Sequence, residues 1–66
     1  MMYLIRDQDN KVRTFKTIER MELFMKKKDG VYFVIENKIA FLLITVVKSE
    51  GGKLSKLKTV RVDNYL

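Results

Sequence analysis

The sequence contains no cysteine and no histidine. Without cysteine the chain cannot form a disulfide bond, and without both residues the usual Cys/His zinc site is excluded. The usual strong nucleophile and the usual neutral-pH proton shuttle are also missing. These absences predict a protein that is not an enzyme, with no catalytic residues, no metal site and no cofactor.

Proline is absent as well, and no repeat, low-complexity stretch or linker interrupts the 66 residues. The longest apolar run, residues 39–47 with Thr45 as its one polar side chain, is far shorter than the roughly 20 residues that cross a bilayer. The first residues lack the long apolar segment of a signal peptide. We therefore expect one domain over residues 1–66, located in the cytoplasm, with no membrane contact.

Positive charge is in excess. Fourteen Lys and Arg against eight Asp and Glu give a net charge of +6, spread over both halves of the chain. Such a protein favours anionic surfaces at low salt, although a solvated lysine-rich surface is an equally good interpretation. The abundance of Lys, Ile, Asn, Phe and Tyr indicates AT-rich codons, and hence a low-GC bacterium or one of its phages or plasmids.

Two strands and a helix are predicted in the first half. Residues 3–6 and 11–16 alternate like strands around a turn-forming segment, which predicts a hairpin. Thr17 is placed to cap a helix over residues 18–28 that ends near Gly30. Leu23 points away from the apolar stripe of this helix, which is expected to face a sheet. The stripe consists of Ile18, Met21, Phe24 and Met25.

Three further strands are predicted in the second half, over residues 31–35, 39–47 and 57–62. A tight turn joins the first pair, and a loop with two glycines precedes the last strand, where the changing apolar spacing indicates a bulge or longer loop around Ser55 and Lys56. The predicted fold is α+β. It is a single antiparallel sheet in the order β-β-α-β-β-β with one helix packed on it, either open or curled into a small barrel.

The two middle strands are apolar on both sides. An antiparallel sheet with one face in water should alternate apolar and polar residues. Residues 31–35 and 39–47 do not alternate, because Thr45 is their one polar residue. One short helix covers one face, so something else must cover the other. Three arrangements satisfy this: a sheet that closes into a barrel, two copies packed together, or a different protein docked on the free face.

The segment 30–34 shares only a glycine and a Phe-Val pair with the RNA-recognition-motif signature, in which strand aromatics stack on bases. Its aromatic residues are Tyr32 and Phe33. If both of them line the core, as the continuous apolar run indicates, they cannot contact a nucleotide. No family membership is inferred.

Two functions of different classes remain. The first is a non-catalytic small binding protein acting on a protein partner, with a possible homodimer: an inhibitor, adaptor or assembly factor of phage or mobile-element type. The alternative is a basic module that binds nucleic acid through non-specific phosphate contacts. The candidate contacts for the partner or for phosphate are Lys53, Lys56, Lys58, Arg61, Arg20, Leu23 and Lys27.

Overall fold

The computed structural model describes residues 3–63. The elements are β1 Tyr3–Asp7, β2 Val12–Phe15, α1 Ile18–Lys27, β3 Gly30–Asn37, β4 Phe41–Glu50 and β5 Lys53–Asp63. The strands form one antiparallel sheet in the order β2-β1-β3-β4-β5, and α1 packs on one face of it. The predicted fold class and element order are confirmed.

The β1–β2 hairpin is closed by a side chain. The Asp7 carboxylate accepts hydrogen bonds from the backbone N–H groups of Lys11 at 3.0 Å and Asp9 at 2.9 Å. The bond from Lys11 is the main reason that the pKa of Asp7 lies below its usual value. Asn10 takes the left-handed conformation, with φ of 64°, which asparagine tolerates better than most residues. The turn therefore follows from its local sequence.

Helix α1 is fixed at both ends by hydroxyl groups. Thr17 caps the start, its side chain accepting a hydrogen bond from the N–H of Arg20 at 3.3 Å. At the other end Ser49 donates to the carbonyl of Met25, and Tyr32 donates to the carbonyl of Lys28 at 2.7 Å. Because carbonyls of a final helical turn have no intrahelical partner, these bonds anchor the helix end to β3 and β4.

The hairpin of β4 and β5 differs from its predicted bounds. β5 begins at Lys53, well before residue 57, because Gly51 and Gly52 form a two-residue turn with φ of 57° and 79°. Two positive φ angles match the strand twist in a turn of this length, and glycine adopts them at little cost. The register shifts between Val46 and Val47, which leaves Leu57 as an extra residue on β5. This bulge adjoins the predicted position.

The start of β4 was also predicted too early. Ile39 and Ala40 lie in the bend after β3, and Ile39 is fully exposed. The amide of Lys38 donates to the carbonyl of Phe41 at 2.9 Å and closes this bend. Apolar composition alone therefore did not locate the turn.

The core is small and lies between α1 and the sheet. Its fully buried apolar side chains are Ile5, Met21, Met25, Tyr32, Val34 and Val47. Phe24 packs against this cluster, as predicted, with its ring 5.5 Å from that of Phe15. Ile18 was expected to face the sheet but is 44% exposed, because it opens the first turn at the margin of the helix contact.

The sheet does not close into a barrel, so that alternative is wrong. β2 and β5 are free edges on opposite sides of the sheet. In the described residues β2, only four residues long, pairs with β1 and not with β5. The expectation that both faces of β3 and β4 are shielded from water is also wrong within one chain, because α1 covers one face and the other is open.

Candidate functional site

The face of the sheet opposite α1, here called the outer face, carries apolar side chains in continuous rows. Strand register places its side chains in rows across the sheet. One row is Thr14, Leu4, Ile35, Ile44 and Val60, and the next is Val12, Arg6, Phe33, Val46 and Lys58. These rows bring together side chains from all five strands.

None of the apolar side chains on the outer face is fully buried. Phe33 is 40% exposed and Val60 39% exposed, whereas Tyr32, the neighbour of Phe33 on the helix side, is 2% exposed. Leu42, Ile44 and other aliphatic residues of this face are half-buried. A continuous apolar surface of this kind is uncommon on a monomeric protein and indicates a contact surface.

The outer face is divided along the strand direction. One end, here called the aliphatic half, is made of Leu4, Ile35, Leu42, Ile44, Val60 and Val62. The other end, here called the cationic end, carries Arg6, Lys48, Lys53 and Lys58. Glu50 is the one acidic strand residue that the described register places on this face, and it lies 3.8 Å from Lys48. The remaining strand carboxylates, on Asp7, Glu36 and Asp63, lie on the helix side.

A shallow groove crosses the boundary between these two ends. It is lined by Arg6, Asn10, Phe33, Ile35 and Ile44. The Nε of Arg6 donates a hydrogen bond to the Oδ1 of Asn10 at 3.1 Å, and Arg6 and Phe33 are cross-strand partners. The groove thus offers an aromatic face next to a cation.

The expectation that both aromatic residues of segment 30–34 line the core is wrong. Tyr32 belongs to the core, whereas Phe33 faces outward between Arg6 and Val46. Sequence reasoning therefore missed Arg6 and Phe33 as surface partners. The apolar Ile5 followed by the charged Arg6 indicates that Arg6 points away from the core, but only the pairing of β1 with β3 brings it to Phe33.

The four basic residues predicted in and before the last strand were expected to divide between faces, with Lys58 opposite Arg61, and they do not form one patch. Lys53 and Lys58 point to the outer face, while Lys56 and Arg61 pair with residues of the helix side. Arg61 lies 3.9 Å from the ring centroid of Phe41 and contacts Asp63 at 2.9 Å. A regular two-residue period would place Lys56 and Lys58 on one face, and the bulge at Leu57 is what separates them.

The other three candidate residues lie on the exposed surface of α1. Arg20, Leu23 and Lys27 are all exposed, Leu23 at 56%. They are separated from the outer face by the thickness of the sheet, so the structure divides the predicted contacts between two surfaces. Leu23 is a single apolar side chain among charged ones, which is ordinary for a helix surface.

Chemistry-bearing side chains do not converge elsewhere in the described part of the chain. Within residues 3–63 no three acidic side chains come together in a way that could hold a metal ion. The cleft between α1 and the sheet is lined mainly by residues of the core and its margin, among them Met21, Met25 and Val47, with Glu22 and Lys56 also on its lining. The outer face is therefore the main candidate site.

No protein-family model, curated protein or solved structure matches this chain. In the part of the chain that the structure describes, no helix is both long enough and apolar enough to cross a lipid bilayer.

Proposed function

We propose that this chain is a non-catalytic binding protein whose outer face docks on an apolar surface of another protein chain. The observation that carries the proposal is the continuous apolar surface of the outer face, which α1 leaves uncovered. Burial of such a surface is favourable by about 25 cal/mol for each Å² removed from water. The surrounding charge is almost wholly basic, so a partner that brings no basic group against the cationic end fits best.

This contact can serve an inhibitor, an adaptor or an assembly factor. The proposal includes action in the cytoplasm, and it leaves open an origin in a phage or mobile element. The predicted helix-surface residues Arg20, Leu23 and Lys27 form a second, weaker candidate surface, because they lack a continuous apolar centre. The rim of a protein interface is typically polar and its core apolar, and only the outer face has both.

Photo-crosslinking at a single site tests the proposal. Replacing Phe33 by p-benzoyl-phenylalanine keeps an aromatic side chain on the outer face, and the same replacement at Leu23 is the matched control on α1. In cells that express the protein, we expect discrete, nuclease-resistant protein adducts from position 33 and not from position 23. A further change on the same face, Val60→Asp, is expected to remove those adducts. Absence of any protein adduct from position 33 contradicts the proposal.

A second candidate function is favoured by one observation, the position of Phe33 next to Arg6, with Lys58 beyond Val46 in the same row. An exposed ring with cations in its row can stack on a base while the cations contact phosphates, as single-strand-binding surfaces do. This function was the alternative prediction from charge. It uses one aromatic residue in a mainly aliphatic surface, which is why it ranks second.

The variant Phe33→Leu separates the two functions. Leucine keeps an apolar contact but removes the aromatic face, and base stacking contributes about 1–3 kcal/mol per base. If the chain binds single strands, fluorescence anisotropy with a labelled oligonucleotide at low salt should show a roughly 5- to 150-fold weaker affinity for the variant. Raising the salt concentration should weaken oligonucleotide binding by the variant and by the unsubstituted chain. No binding at low salt eliminates this candidate.

A further inference from the structure

The aliphatic half of the outer face has no charged side chain in its rows. Leu4, Ile35, Ile44 and Val60 run across four neighbouring strands, and Leu42 continues the surface in the next row. The cations lie beyond one edge of this area. A partner that covers it must therefore present an apolar surface of similar shape and must keep its own cations away from the cationic end.

We propose that a second copy of this chain covers the aliphatic half, with the two sheets stacked face to face and their strands antiparallel. This inference rests on the proposed function, because it names the protein that docks on the outer face. Two sheets packed in this way lie about 10 Å apart, with their strands within about 30° of each other. The same patch then forms both sides of the interface, as two-fold symmetry requires.

The size of the surface fits a small dimer. With strands about 4.8 Å apart and residues about 3.3 Å apart, the aliphatic half and its margin span about 20 Å in each direction. Stacking two such faces removes roughly 1,000 Å² from water, which is close to the lower bound for a specific interface. Both sides are aliphatic at the centre, like the core of a homodimer interface.

The charge distribution selects the antiparallel arrangement. When the strands of the two copies run in opposite directions, the row of Ile35 and Ile44 meets its own counterpart at the two-fold axis. The row of Arg6 and Lys58 then lies over the far margin of the partner, so the two cationic ends are at opposite ends of the dimer. A parallel stack places both cationic ends together, and each chain already carries a net charge of +6.

The monomer also has a reason to pair. Among residues 3–63, only six apolar side chains are buried in its own core. A chain of about 60 residues buries only about 60% of its unfolded surface, and such domains often gain stability from a partner subunit. Disulfide bonds cannot supply it here, since cysteine is absent. Pairing through the aliphatic half gives each copy a second core layer.

Light scattering on a sizing column tests the inference with the purified full chain. At about 100 μM we expect a mass twice the 7.8 kDa of one chain, falling towards the single mass on dilution. Val60→Asp, at an exposed position of the aliphatic half, should shift the mass to that of one chain, whereas Leu23→Asp on α1 should not. Circular dichroism verifies that each variant is folded, and Val62→Asp is the second variant if Val60→Asp is not.

Salt and cross-linking sharpen the test. A mass that is kept or raised at about 0.5 M salt supports an apolar contact, because screening weakens repulsion between like-charged copies. In a mixture of Val46→Cys and Leu42→Cys chains, a short bis-maleimide should join unlike chains more readily than two Val46→Cys chains. A single-chain mass at every concentration, or a dimer that Val60→Asp and Val62→Asp leave intact, overturns the inference. If the inference fails in this way, crosslinks from position 33 to proteins other than this chain would still support the proposed function.

Discussion

The two faces of the sheet are built from alternate residues of the same strands, yet they differ sharply. On the helix side Tyr32 is 2% exposed, and on the outer face its neighbour Phe33 is 40% exposed. The helix side forms a closed core with hydroxyl bonds to the end of α1, whereas the outer face is apolar and open. Apolar composition thus marks where a protein can exclude water, and a covering element decides where it does.

The largest effect should separate these neighbouring aromatic residues. Tyr32→Ala creates a cavity in the core and removes a hydrogen bond, so the free energy of unfolding should fall by about 3–5 kcal/mol. Phe33→Ala should lower it by about 1 kcal/mol in the monomer, since the ring already contacts water. Urea unfolding at low protein concentration measures both. Equal losses would show that a single chain shields its outer face after all.

A smaller difference is expected between two serines on opposite faces. Ser49→Ala removes the hydroxyl that donates to the buried carbonyl of Met25 and should cost about 1–3 kcal/mol. Ser55→Ala, on the exposed outer side of β5, should leave the free energy of unfolding nearly unchanged. Thermal and urea unfolding measure both variants. If Ser49→Ala and Ser55→Ala both kept the free energy of unfolding of the unsubstituted chain, the Ser49 hydroxyl would not anchor α1.

The turn that sets the register of β4 and β5 should be sensitive to backbone conformation. Gly52→Ala places a β-carbon at φ of 79°, which should lower the free energy of unfolding by about 1 kcal/mol. No heavy atom lies within 4 Å of that added carbon, so the cost comes from the backbone alone. Gly52→Asn should cost less, because asparagine tolerates this conformation better. A loss for asparagine as large as for alanine would refute this explanation.

The smallest effect concerns pH at the other hairpin. The backbone bond from Lys11 lowers the pKa of Asp7, so its contribution to stability is present above the unfolded pKa of about 3.9 and is lost as pH falls through the lowered folded pKa. Asp7→Asn keeps an acceptor oxygen but cannot titrate. Its melting temperature, followed by circular dichroism from about pH 6 to pH 2, should fall less steeply with acid. Asp9→Asn is the control for charge loss in the same loop, and an equal change there would contradict this role.

Local signals in the sequence were sufficient for much of the fold. Thr17 predicted the start of α1, and Gly51 with Gly52 predicted the position of the last turn, because capping and positive φ depend on a few neighbouring residues. The element order followed from these signals and from the apolar periods. The bounds of β4 and β5 were less certain, because residues 39–47 are apolar in both the bend and the strand.

The candidate site was harder to predict. The sequence indicated that the middle strands are apolar on both sides, which pointed to a surface in need of a cover. It did not place Arg6 beside Phe33, since that neighbourhood depends on the pairing of β1 with β3. It also suggested Lys56 and Lys58 for one basic patch. The two-residue strand period would keep these two side chains on one face, but the bulge at Leu57 sends them to opposite faces.

By itself the sequence determined the order of the elements, the turn that contains Asn10, the turn formed by Gly51 and Gly52, and the exclusion of disulfide bonds. Each of these depends on residue types or on contacts between near neighbours. Only the tertiary structure decided that the sheet stays open, that Tyr32 is buried while Phe33 is not, and that the cations collect at one end of the outer face. The reason is that strand order and register join residues distant along the chain, and a two-residue period fixes faces only once those pairings exist.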